Sequence, residues 1–237
     1  MSKFQFKQFT VEQDNCAMKI GTDGVLLGAW APVAKDTFSI LDIGTGTGII
    51  ALMLSQRTDA QQIDALEIEE NAYEQATDNF ENSHWNDRLF CFHAGLDEFI
   101  EEPENTYDLI VSNPPFYSED YKTNNEQRDL ARFQDALPFE DLIEAADLLL
   151  SENGVFAAII PFKEEETFIA IAEEYELYPV KITRVKGTPT TEIKRSLLAF
   201  KRFELPALDS DELVIETARH QYTPEYIELT KDFYLKM

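Results

Sequence analysis

Apolar residues in this chain fall into short continuous runs, separated by longer stretches in which they recur every three or four positions. The runs at 39–43, 62–68, 89–93, 107–112 and 155–160 are too short for helices and read as strands buried on both faces. The stretches at 49–56, 70–82, 139–150 and 163–176 read as helices. Such alternation predicts an α/β protein with a doubly wound, mostly parallel sheet covered by helices on both sides. After residue 178 the pattern changes. Segments 179–186 and 196–203 are strand-like without a helix between them, and the turn-rich Gly187-Thr188-Pro189-Thr190-Thr191 joins them. They predict an antiparallel hairpin at one edge, which makes the sheet seven-stranded. A short strand at 213–215 and an aromatic-rich helix at 224–234 follow. At the other end, Phe4, Phe6 and Phe9 mark a short strand or arm.

Two segments carry candidate chemistry. The first run enters Leu41-Asp42-Ile43-Gly44-Thr45-Gly46-Thr47-Gly48, and a helix begins at Ile49. Glycines there permit a tight turn and close approach of a ligand to the helix N-terminus. Gly44, Gly46 and Gly48 fall at every second residue. This is not the Gly-x-Gly-x-x-Gly spacing that cradles a pyrophosphate, so a nicotinamide dinucleotide is disfavoured and S-adenosylmethionine is the expected cofactor. The second run ends at Glu67, an acid placed to accept both ribose hydroxyls; Glu69 and Glu70 crowd the same place, so a plain surface acid is the alternative.

The second segment is Asn113-Pro114-Pro115-Phe116, directly after the run at 107–112. Two prolines cannot continue a central strand, because neither has an N–H to donate. They make a rigid turn that leaves carbonyls free as acceptors. Asn113 adds a side-chain acceptor, and Phe116 adds a face for stacking. Such a turn suits a flat ring bearing an exocyclic amine, whose N–H bonds the two acceptors would grip in pyramidal geometry. In a doubly wound sheet, the first and fourth runs are neighbours at the topological switch point, so the two segments are expected to face one crevice.

Composition narrows the field further. The 237 residues, 44% hydrophobic, suit a single domain with an N-terminal arm (1–35) and a C-terminal extension (204–237). No apolar stretch is long enough for a membrane span, and the first residues lack the pattern of a signal peptide. Cys16 and Cys91, with His84, His93 and His220, show no metal-ligand spacing, and a reduced cytoplasmic setting is expected. No metal, no membrane and a monomer are the expectations.

The chain resembles the class I S-adenosylmethionine-dependent methyltransferases, which have a Rossmann-like fold, and within them the bacterial valine-tRNA adenine-N6 methyltransferase family. The resemblance rests on Phe4-Gln5-Phe6-Lys7-Gln8-Phe9, on 16–32 with its Thr22-Asp23-Gly24, on 41–57, and on Asn113-Pro114-Pro115-Phe116. It extends over 127–132, 195–200 and 233–235, so it covers most of the chain. It implies methylation of an adenine beside the anticodon of a valine tRNA. It implies that Thr22, Asp23, Gly24 and Asp42 wall the methionine end of the cofactor, with Glu67 on the ribose. Where the family often has an acid after the third strand to hold the adenine amine, this chain has His93-Ala94-Gly95-Leu96, and Asp97 is the first acid available.

Charge opposes an RNA substrate at first sight, since the net charge is −25. Segment 181–202 is the exception at +6, with Lys181, Arg184, Lys186, Lys194 and Arg195 among its basic residues. It is expected to be an RNA-facing surface lying away from the glycine turn. Arg128 and Arg132, in the long stretch after Phe116, are expected to assist it. The alternatives are a guanine-N2 ribosomal RNA methyltransferase, a protein-glutamine-amide methyltransferase, which the acidity favours, and a non-catalytic RNA-binding module that senses the cofactor.

Overall fold

The five apolar runs become five parallel strands; four are largely buried, whereas 89–93 forms an edge strand with only Leu89 buried, and the central strand shows why the others are apolar throughout. All of β3 (Ser39–Ile43) is buried, because its side chains alternate between two cores on opposite faces of the sheet. In a computed structural model, which describes residues 3–101, 105–115 and 137–237, β3 lies between β4 (Gln62–Glu67) and β6 (Tyr107–Ser112). β5 (Leu89–His93) flanks β4, and β7 (Leu150–Pro161) flanks β6. The chain leaves β3 for β4 on one side and returns to β6 on the other, so the topological switch point lies between β3 and β6.

The hairpin forms as β8 (Tyr178–Lys186) and β9 (Ile193–Lys201), with β9 antiparallel to both β8 and β7. The hairpin is not the edge of the sheet. β10 (Asp209–Val214) pairs in parallel with β8, so among the described residues the main sheet has eight strands, one more than expected, in the order β10-β8-β9-β7-β6-β3-β4-β5. The sequence marked only 213–215 here. The acidic start of β10 looks like loop, yet Thr183 Oγ1 donates to Asp211 and Lys186 pairs with Glu212 at 2.8 Å.

One face of the sheet carries α1 (Thr22–Trp30), α2 (Ile49–Arg57), α7 (Pro224–Thr230) and Phe80 of α3 (Glu70–Glu81). The other carries α5 (Phe139–Leu149), α6 (Glu165–Glu174) and the short α4 (Leu96–Ile100). Helix α1 left no amphipathic signature, because every residue from Gly24 to Trp30 is buried. A Cβ at Gly28 would lie 2.8 Å from Met53 Sδ, so the glycine permits close approach of α1 and α2. The arm forms β1 (Lys3–Gln5) and β2 (Thr10–Glu12), which pair with each other. Phe6 bridges to Tyr234, and the Lys7 N–H donates to the Phe233 carbonyl at 2.8 Å, so the arm and the C-terminal segment meet.

Candidate active site

Ile43 and Ser112 are register partners at the carboxyl ends of β3 and β6, and Ser112 Oγ donates to the Ile43 carbonyl at 2.9 Å. The glycine turn begins one residue after the first, and Asn113-Pro114-Pro115 begins one residue after the second. Parallel neighbours about 5 Å apart therefore deliver both turns to one crevice, as expected for the first and fourth runs of a doubly wound sheet. Asn113 and Pro115 are half-buried and Pro114 is buried. Phe116, Arg128 and Arg132 lie outside the described residues.

Gly44, Gly46 and Gly48 all have positive φ, at 71°, 57° and 80°, where a side chain would be strained. Nothing stands within 4 Å of where a Cβ would sit at Gly44 or Gly46, so the turn presents open backbone. Beneath it, Asp42 is fully buried. One carboxylate oxygen accepts from Thr45 Oγ1 at 2.6 Å and the Ala51 N–H at 3.2 Å, while Oδ1 is buried without a partner among the described residues. Burial pushes the Asp42 carboxyl up to about 7, helped by the negative charge of Glu67 and opposed by the Thr45 and Ala51 hydrogen bonds.

The three neighbouring acids separate by role. Glu67 is 9% exposed and accepts from the Gly46 N–H at 2.8 Å and the Glu69 N–H at 3.0 Å, so it braces the turn. The Glu69 side chain caps α3 by accepting from the Asn71 and Ala72 N–H groups. Glu70 is exposed in the first helical turn. Ile68, which the sequence reading passed over, is 66% exposed between Glu67 and Gly95 and offers an apolar face there. Asp97 is exposed in the first turn of α4, and its carboxylate folds back over Gly95 at the same edge.

The arm covers this region through polar groups that the sequence reading also missed. Asn79 accepts from the Glu12 N–H at 2.9 Å and donates to the carbonyls of Glu12 and Thr47, both at 2.9 Å. One buried amide thus staples arm, helix and glycine turn. Gln75 accepts from the Asn15 N–H at 3.4 Å, and Gln13 accepts from the Ile20 N–H at 2.8 Å. The available signal was a polar residue at core spacing, since Gln75 and Asn79 share the buried stripe of α3 with Ala72, Ala76 and Phe80. Cys16 is buried within electrostatic reach of Glu67 and Glu69. Burial, then these two charges, push its thiol up to about 12.

Thr22, Asp23 and Gly24 open α1 beside the turn, and a Cβ at Gly24 would lie 3.3 Å from Ile49 at the start of α2. The basic segment is not the uniform open surface expected of it. Arg195 pairs with Asp23 at 2.8 Å, Arg184 pairs with Glu165, and Lys186 pairs with Glu212. Lys181 sits over the Trp30 ring, and Arg202 pairs with Asp147, whereas Lys194 is exposed. Four of the five basic residues assigned there to RNA are thus engaged within the fold. Nor does Arg195 lie apart from the glycine turn, since it contacts the helix that borders it.

Residues 26–165 match the family described as "Methyltransferase small domain". A tRNA1(Val) (adenine(37)-N6)-methyltransferase from Flavobacterium johnsoniae is 76% identical over 234 residues, covering 99% of this chain and 100% of that protein. The chain belongs to this methyltransferase family. A relative of the same name from Trichodesmium erythraeum is 46% identical and covers 99% of this chain and 98% of its own. Among solved structures, a predicted O-methyltransferase from Agrobacterium tumefaciens superposes with a TM-score of 0.71 at 19% identity, over 89% of this chain and 96% of that one, and shows the shared fold.

The site of this methyltransferase fits S-adenosylmethionine. The Glu67 carboxylate beside an open glycine turn favours a ligand carrying an ammonium and a sulfonium over a pyrophosphate. The unpartnered Oδ1 of Asp42 and the carboxylate of Glu67 are acceptors suited to such a ligand. No helix among the described residues is long and apolar enough to cross a membrane.

Proposed function

We propose that this chain transfers a methyl group from S-adenosylmethionine to the exocyclic N6 amine of an adenine in tRNA, at position 37 of a valine tRNA, the target in the names of its relatives. The observation that carries this reading is the pairing of Ile43 with Ser112, which sets an open glycine turn and an Asn-Pro-Pro turn side by side.

Glu67 and Asp42 would hold the cofactor at its ribose and methionine ends, with Thr22, Asp23 and Gly24 as the adjoining wall. When bound, S-adenosylmethionine supplies an electrophilic methyl. The Asn113 side-chain carbonyl and the Pro114 main-chain carbonyl accept the two amine hydrogens and turn the nitrogen lone pair out of the ring plane. Phe116 stacks on the extruded base. The amine becomes acidic only as its nitrogen gains a fourth bond, so a strong base is not required of the protein. Alignment and these two acceptors supply the catalysis.

The test is methyl transfer to an unmodified valine tRNA transcript, read by nucleoside mass spectrometry. The expected product is N6-methyladenine, absent when adenine 37 is replaced by guanine. Methyl appearing at guanine N2, or on a protein glutamine, would overturn the reading in favour of the corresponding alternative.

A further inference from the structure

Among the described residues, most of the basic segment is paired inside the fold, so groups beside the acceptor crevice that do not rely on charge gain weight as RNA contacts. β7 supplies a candidate. Ser112 is the register partner of Ala158, and β7 continues past that level to Pro161. Phe162 follows on a 3-10 turn, four residues and roughly 13 Å of strand beyond the Ser112 level. It therefore stands on the edge of the sheet from which Asn113-Pro114-Pro115 departs, one strand away.

Phe162 is 38% exposed although it is a large aromatic. The Arg184 guanidinium lies over its ring, 6.0 Å from the centroid. Arg184 is held edge-on: Nε donates to both oxygens of Glu165 at 3.0 and 3.1 Å, and Nη2 donates to Oε1. Glu165 is itself buried and takes a further hydrogen bond from Ser196 Oγ. An edge-on pair of this kind neutralises the guanidinium but leaves its flat faces available for stacking. A buried carboxylate and a serine thus fix one planar cation against one exposed ring. The exposed Lys194 stands on the same edge and can meet a phosphate, and the half-exposed Lys163 beside it lies 3.8 Å from the Glu164 carboxylate.

We propose that Phe162 and Arg184 form a stacking platform for an unpaired base of the RNA substrate, next to the nucleotide whose amine enters the Asn113 turn. The platform rests on the tRNA reading above. Base stacking tolerates sequence and adds binding energy that does not come from net charge, which would help a strongly acidic chain hold RNA at this edge.

The test compares wild type with Phe162→Ala, Phe162→Leu and Phe162→Trp on the same tRNA transcript. Arg184 is left intact, because removing it would strand a buried Glu165 charge. Phe162→Ala and Phe162→Leu should each raise KM for tRNA about tenfold, and Phe162→Trp should restore it. Calorimetric affinity for S-adenosylhomocysteine should stay within twofold of wild type in all three. If Phe162→Leu matches wild type, the ring only fills space and the platform is wrong. If all three variants lose tRNA and S-adenosylhomocysteine affinity together, the role is structural and the platform is equally wrong. A wild type that methylates adenine 37 while Phe162→Ala is unaffected overturns the platform alone. A wild type that methylates no tRNA overturns both readings.

Discussion

Arg195 Nε donates to Asp23 Oδ2 at 2.8 Å, joining β9 to the first turn of α1 across 172 residues of sequence. Arg195 is the register partner of Pro161 at the carboxyl edge of the sheet, and Gly24 packs on Ile49 beside the glycine turn. The pair therefore ties the α1 wall of the cofactor crevice to the hairpin. Reversing Arg195 to glutamate would set two acids against each other and loosen that wall. We expect Arg195→Glu to weaken both cofactor and tRNA binding, and the exchange Asp23→Arg/Arg195→Asp to recover part of the loss. The side chains are partly exposed, so a coupling of about 0.5–1 kcal/mol is expected from a double-mutant cycle read by calorimetry. Zero coupling would leave the contact without a functional role.

Glu67 carries two duties in this arrangement, since it braces the Gly46 and Glu69 N–H groups and faces the open turn. Glu67→Ala should weaken S-adenosylmethionine binding by about 1.5–3 kcal/mol. Calorimetry giving equal affinity for mutant and wild type would remove Glu67 from the cofactor site.

Asn113→Ala should leave cofactor affinity close to wild type and lower the single-turnover rate of methyl transfer by roughly 10²-fold, because its hydrogen bond strengthens as the amine pyramidalises. A wild-type single-turnover rate would exclude the amine grip.

Asn79 and Gln75 allow the staple to be dissected. Asn79→Ala removes the bonds to the arm and to the Thr47 carbonyl, whereas Gln75→Ala removes the bond to Asn15 and leaves the Thr47 carbonyl bonded. The former leaves buried carbonyls unpaired and should cost about 1–3 kcal/mol of stability. It should also raise KM for the cofactor several-fold; Gln75→Ala should move KM little. Equal KM values for the two variants would show that Asn79 does not position the glycine turn.

Asp42 sets a pH dependence whose sign follows from its raised pKa. Between the ordinary value of 3.8 and about 7, the folded protein keeps a proton that the unfolded chain has lost. Stability from this group is therefore present at low pH and is lost as pH rises through that window. Asp42→Asn lacks the effect, so its melting temperature relative to wild type should rise between pH 5 and pH 8. Parallel melting curves across that range would show that Asp42 does not titrate in the window.

The sequence by itself determined the strands that build the site. The runs at 39–43 and 107–112 coincide with β3 and β6, because strands buried on both faces must be continuously apolar; the run at 89–93 coincides with β5, an edge strand on which only Leu89 is buried. The glycine spacing and the paired prolines were legible for a similar reason: positive φ and a missing N–H are properties of single residue types. Side-chain partnership was not legible. Whether Arg184, Lys186 and Arg195 meet phosphate or carboxylate depends on residues 19 to 172 positions away, brought near only when β10, α6 and α1 pack against the hairpin. α1 was hidden because burial on all sides erases periodicity, and β10 because pairing with β8 draws acidic residues into a strand. Local chemistry therefore sets which backbone turns can form, and tertiary packing decides which charges remain free to meet a substrate.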